Sequence, residues 1–199
     1  MKRRYADSFF GKRVYKGWNL EKGLTWRIGP QRIRFFLWRV VHGALLTNKV
    51  RVDRHLTIDA GCKICNVHVE TPIHVLRDCP FAAEVWRKIV DQGSHADFFS
   101  SPLSSWLQQN LSSINNNFSP TVYAWVPWHL VFGIACDCLW RRKNKKIFQD
   151  LTLSVPSLCN QIMSIVPNVF KAYKEGINIS YGSNPSRAIT VRWFPPHEN

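Results

Sequence analysis

The stretch from Cys62 to Cys79, CKICNVHVETPIHVLRDC, limits what this chain can become more than any other. Cys62 and Cys65 form a C-x2-C pair, and after eight intervening residues His74 and Cys79 form an H-x4-C pair. Three soft sulfur donors and one imidazole suit tetrahedral Zn2+ with no open coordination position. A closed shell of that kind is structural: the ion organises a loop and activates no water. His68 and Asp78 compete with His74 for the fourth place. His74 is preferred, because the residues between the two pairs then form one loop and Pro80 can start a helix directly after the last ligand.

Other uses of the cysteines are weaker. Disulfides need an oxidising compartment, and Met1-Lys2-Arg3-Arg4 leads into no apolar segment of a secretory signal. Buried free thiols are the remaining alternative. Cys136, Cys138 and Cys159 have no His or fourth Cys at ligand spacing and are expected in the core. With no secretory route visible, the N-x-S sequons at Asn110, Asn117 and Asn178 carry no weight. The expected location is intracellular, with the nucleus open to a chain of this charge.

A family resemblance enters at the same stretch. Phe36-Leu37-Trp38, the turn Leu45 to Asn48, Cys62 and Cys65, then Glu70, Thr71, His74, Cys79 and Pro80, and finally Trp86 stand in the order of one known module. Over about Trp26 to Val90 the chain closely resembles the zinc-binding domain that follows reverse transcriptase in plant non-LTR (LINE-type) retrotransposons. Trp140 to Phe148 resembles the W-x-x-R-N-x-x-x-F element between that domain and RNase H, with Lys143 in place of the usual Arg. Trp193 to Pro196 resembles the W-x-P-P element that leads into RNase H, and the expectation is that the chain carries no RNase H domain of its own. Arg13-Val14-Tyr15 is a poor remnant of the family's upstream segment.

The sequence lets the helices be placed. The expected fold is mainly α: a small helical domain around the Cys3His loop over 26–92, after a loosely structured basic lead-in over 1–25. A linker with one short helix follows over 93–119, then a helical connector over 120–180 and a flexible tail over 181–199. Pro30 opens a helix to about His42 with Gly43 as its stop, and Ile33, Phe36, Leu37, Val40 and Val41 keep the rhythm of a buried face. Thr47 or Asn48 caps a short helix from Lys49 to His55. A further helix spans Pro80 to Asp91, with Phe81, Val85, Trp86 and Ile89 inward. Gly93 to Ser101 reads as linker, Leu103 to Leu111 as a short helix, and Ser112 to Ser119 as a loop. Pro120 opens an apolar helix to about Phe148, kinked at Pro127. The apolar part is too short for a membrane span and holds His129 and Asp137. Val155 to Gly176 reads as an amphipathic helix kinked at Pro167.

Charge points to the partner. The 199 residues hold 27 Lys and Arg against 13 Asp and Glu, a net +14, which exceeds what solubility needs and fits a polyanion. The expected partner is nucleic acid, RNA or single-stranded DNA, with no membrane and no small-molecule substrate. Candidate contacts are Arg34 and Arg39, which alternate with Phe35 and Trp38, and the run Arg141, Arg142, Lys143, Lys145 and Lys146. Cations would track phosphates while rings stack on bases. Two other readings stand beside this one. Phe35 and Trp38 can instead pack on the metal loop, which is preferred, and the basic run can be a helix end whose cations meet the macrodipole. The module itself can also be purely structural or a protein-interaction unit.

An enzyme is not expected. Tyr5-Ala6-Asp7 has Ser8 where a polymerase places its second metal-binding Asp, and no paired-carboxylate set of a two-metal nuclease is spaced along the chain.

Overall fold

The computed structural model describes residues 31–112 and 125–182. The lead-in, Arg13-Val14-Tyr15, most of the Ser112 to Ser119 loop, the expected helix start at Pro120 and the tail beyond Gly182 lie outside the described residues.

Burial along α1 (Gln31–Val41), the first helix among the described residues, follows the helical period. Ile33, Phe36, Leu37, Val40 and Val41 are all buried, while Phe35 and Trp38 turn outward. The stop is built as expected. Gly43 adopts φ +60, a region open to glycine at little cost. That turn lets the Gly43 N–H reach the Val40 carbonyl at 3.2 Å and the Ala44 N–H reach the Arg39 carbonyl at 2.8 Å, which satisfies the helix's last acceptors. Thr47 caps α2 (Asn48–Asp53), its hydroxyl accepting from the Val50 N–H.

After the cysteine–histidine loop comes α3 (Pro80–Ile89), with Pro80 in the first turn, where a missing N–H costs nothing. The stretch read as linker is instead helical. A 3-10 turn covers Gln92–Ser94, α4 covers His95–Ser100 and α5 covers Leu103–Leu111. The reason is Phe98, fully buried with its ring 5.0 Å from that of Trp86 and 5.5 Å from that of Trp106. One large apolar side chain is enough to pin a short helix that propensity alone would not form.

The longest apolar stretch gives α6 (Trp128–Gln149). It is buried nearly all round from Trp128 to Leu139, as a helix through the centre of a domain must be. It does not run through Pro127. That residue is extended, with ψ 129, and the helix starts at the next position. The residue before a proline avoids the helical region, so Pro127 marks a boundary here and not a kink. α7 (Val155–Gly182) carries Pro167 inside it and buries Leu158, Ile162, Val166, Val169 and Phe170. Among the described residues no helix is long and apolar enough to cross a membrane.

α6 packs against α1, α5 and α7, and α7 also packs on α3. A single core therefore runs from Ile33 in α1 to Phe170 in α7, with Cys136 and Cys138 inside it and Cys159 at its edge. Its centre is aromatic. The Trp86 ring lies 5.5 Å from Phe132, 5.9 Å from Trp106 and 6.4 Å from Trp128. The Trp86 indole N–H donates to the Leu76 carbonyl at 2.6 Å, which ties this centre to the residues just after His74. The Trp128 indole N–H donates to Asn110 at 2.8 Å, and the Asn110 amide donates to the Trp106 carbonyl at 2.7 Å.

Trp86→Ala should cost about 3–5 kcal/mol, a large part of the roughly 5–15 kcal/mol a domain possesses. Trp86→Phe keeps the ring contacts but strands the Leu76 carbonyl, at about 1–3 kcal/mol. Urea unfolding followed by circular dichroism measures both, and equal losses for the two variants would contradict the importance of ring volume.

Candidate metal centre

The C-x2-C pair sits in a tight reversal. Gly61 and Val69 form an antiparallel bridge, the Cys62 N–H donates to the His68 carbonyl and the Glu70 N–H to the Ala60 carbonyl, each at 2.8 Å. The Asn66 N–H reaches back to the Cys62 carbonyl at 2.8 Å, and Asn66 takes φ 56 to allow it. Asn tolerates that left-handed region better than most residues.

The H-x4-C pair needs different geometry. In an α-helix, residues five apart point about 140° away from each other. The chain avoids this with a π turn over His74–Asp78, in which the Cys79 N–H donates to the His74 carbonyl at 2.7 Å. The wider turn brings residues five apart onto one side. Thr71 holds its start, the hydroxyl accepting from the His74 N–H at 3.2 Å.

The result is convergence. The Sγ atoms of Cys62, Cys65 and Cys79 and a ring nitrogen of His74 all lie within 4.8 Å of one another. Cys65 Sγ is 3.5 Å from His74 Nε2. Bonds of about 2.0–2.3 Å to a tetrahedral ion give ligand–ligand edges of about 3.5–3.8 Å, so this donor set fits a closed four-coordinate metal ion. The two competing ligands fall away. His68 is exposed, with its ring 5.7 Å from that of His74, and Asp78 pairs with Arg77 at 2.6 Å.

Crowded thiols perturb one another. Cys62 is held far below the ordinary thiol range, chiefly by a hydrogen bond from Cys79 and then by His74. Cys79 is pushed far up by the same interaction with Cys62 and by burial, so it keeps its proton. His74 is raised, first by Cys62. One thiolate thus shares protons with its neighbours until a cation replaces them.

A buried carboxylate braces the loop. Glu70 is fully buried, and its Oε1 accepts from the Asn48 N–H at 2.9 Å and from Lys143 Nζ at 2.8 Å. The Asn48 side chain donates to the Gly61 carbonyl at 2.8 Å. Glu70 therefore joins α2, the cysteine reversal and α6. Sequence reading places Glu70 in a motif and Lys143 in a basic run, and nothing in either pattern pairs them across 73 positions. A glutamate between a metal ligand pair and an apolar turn is the single available signal.

The basic candidates divide. Arg142 and Lys143 are buried, at 7% and 6% exposure, and so are withdrawn from the solvent-facing set. Arg142 lies over the Phe81 ring at 3.4 Å, and Lys143 is consumed by Glu70. Arg141 lies 3.8 Å from the buried Asp137, and Lys146 lies 2.6 Å from the exposed Asp150. Lys145 is half-buried and lines a groove of about 210 Å³ with Arg141, Asn144, Phe148 and Gln149. On α1, Arg34 is half-buried and Arg39 donates to the Ala44 carbonyl at 3.3 Å. The expectation that Phe35 and Trp38 pack on the metal loop is not met. They are 61% and 44% exposed, and Phe35, Trp38 and His42 form a ladder with ring spacings of 6.0 and 4.3 Å.

Comparison with known proteins follows the same residues. Residues 4–86 match the family described as zinc-binding in reverse transcriptase. The match reaches further towards the N-terminus than the resemblance over Trp26 to Val90. A protein of Arabidopsis thaliana that carries the name ribonuclease H protein is 33% identical over 128 residues, which cover 64% of this chain. Those residues are 20% of the relative, so the chain spans about a fifth of its length. No solved structure matches the chain significantly.

Because the Cys79 thiol is pushed far above the ordinary range and keeps its proton, a metal ion must displace that proton, and its apparent affinity should rise with pH. Calorimetric titration in buffers of different ionisation enthalpy should show net proton release on binding. A pH-independent affinity with no proton release would contradict this arrangement.

Proposed function

We propose that the chain, whose residues 4–86 match the family described as zinc-binding in reverse transcriptase, is an accessory, nucleic-acid-binding module stabilised by one structural zinc ion. Cys62, Cys65, His74 and Cys79 would hold the ion, and the convergence of their four donor atoms carries this reading. Three thiolates and an imidazole leave no coordination position for substrate or water, so the ion supplies stability and no chemistry. The Arabidopsis relative carries the name ribonuclease H protein, and the proposed role here is to hold nucleic acid for catalytic domains.

The ladder Phe35–Trp38–His42 supports the nucleic-acid part. Stacked rings on the outer side of α1, with Arg34 and Arg39 on either side of the stripe, offer bases a platform and phosphates a counter-charge. Arg141, Lys145 and Lys146 would extend the cationic track along α6. Single-stranded RNA or DNA would bind with little sequence preference, because every base has a face to stack and every nucleotide a phosphate.

A second reading has its own support. Arg141, Lys143 and Lys146 already face carboxylates, and Arg142 is buried, so much of the basic run is spent within the chain. On that reading the module is structural or binds protein.

Fluorescence anisotropy on a labelled oligonucleotide separates the two. Trp38→Ala should cost about 1–3 kcal/mol of binding. Arg141, Lys145 and Lys146 together changed to Gln should flatten the log–log salt slope by about 2, at roughly 0.7 for each phosphate released. Unchanged affinity and slope in both variants would give first place to the structural or protein-interaction reading.

A further inference from the structure

Arg142 is a cation in a place where cations are costly. It is 7% exposed, its Nε has no hydrogen-bond partner, and no carboxylate lies within ion-pair distance among the described residues. Its neighbour Lys143 has solved the same problem with Glu70, but that carboxylate bonds Lys143 and Asn48 and not Arg142. A buried guanidinium without a counter-ion loses its hydration for nothing. Something negative must face it.

The residue it stacks on leads to the cysteine cluster. The guanidinium lies flat on Phe81, 3.4 Å from the ring centre, and Phe81 is two residues after Cys79. α6 packs directly against the π turn that carries His74. Burial lowers the Arg142 pKa, and attraction by Cys79 and Cys62 opposes that shift. A divalent ion held by three thiolates and a neutral imidazole retains one net negative charge, in a pocket where Cys62 is 0% and Cys79 3% exposed.

We propose that Arg142 is the counter-ion of the metal–thiolate centre, a positioning residue from α6 that sets how tightly the loop holds its metal. The proposal rests on Cys62, Cys65, His74 and Cys79 being the ligands. It also gives the basic run of α6 a role turned inward, towards the metal. Lys143 then fixes the loop through Glu70, and Arg142 neutralises what the loop binds.

The test is Zn2+ affinity by competition with a chromophoric chelator, on the full chain. Arg142→Met should weaken zinc by about 10–100-fold, the usual range for a residue that supports metal ligands from outside the first shell. Arg142→Lys, which keeps the charge, should stay within about threefold of the parent. Cobalt substitution should give the same tetrahedral spectrum in parent and both variants, because the ligands are unchanged. In a Cys65→His background the centre becomes neutral, and the cost of Arg142→Met should shrink to less than about threefold. Parent-like affinity in Arg142→Met, equal losses in the Met and Lys variants, or an undiminished loss in the Cys65→His background would each overturn the proposal. If Arg142→Met does not fold, Arg142→Lys decides: parent-like affinity sustains the proposal and a tenfold loss overturns it. A parent chain that binds no zinc would instead refute the ligand set on which the proposal stands.

Discussion

Three thiols and an imidazole held within 4.8 Å of one another are the constraint on which this structure turns. Without a cation the arrangement is electrostatically poor. One thiolate can be stabilised by borrowing the protons of its neighbours, but three cannot coexist in a buried site. The backbone around the cluster is nonetheless built for it, with a left-handed Asn66 in one half and a π turn in the other. Both are local departures from regular structure, and they make sense as the cost of aiming four donors at one point.

The loop is not an appendage. Trp86 bonds the Leu76 carbonyl from the centre of the aromatic core, Glu70 bonds Lys143 of α6, and Arg142 packs on Phe81 beside the last cysteine. The metal loop is thus tied to the aromatic core by a buried hydrogen bond, and α6 is tied to the loop by a buried ion pair and to Phe81, just past it, by a stacking contact. Such contacts couple the free energy of metal binding to the packing of helices far along the chain. They also explain where a high positive charge goes. Net charge is a property of the whole sequence, but two of the five cations in the Arg141–Lys146 run face inward, so composition overstates the surface available to a polyanion.

Much of this was legible in the sequence for physical reasons. Ligand spacing, the apolar rhythm of α1, the Gly43 stop, the Thr47 cap and Pro80 at the start of α3 are local signals, and each is realised. The misses are non-local. The Gly93 to Ser101 stretch folds because Phe98 finds Trp86 and Trp106, which no window of sequence contains. Phe35 and Trp38 stack on each other and stay in solvent, although large rings beside a metal loop invite burial. Pro127 was legible as a breaker, but whether a proline kinks a helix or bounds it depends on what lies upstream. The Glu70–Lys143 pair joins two segments that only the tertiary fold brings together.

X-ray absorption at the zinc edge tests the central claim most directly, because it reads the ligand atoms themselves. The account predicts a four-coordinate shell of three sulfurs at about 2.3 Å and one nitrogen at about 2.0–2.1 Å. A shell containing a water or carboxylate oxygen, a second nitrogen, or fewer than three sulfurs would contradict it.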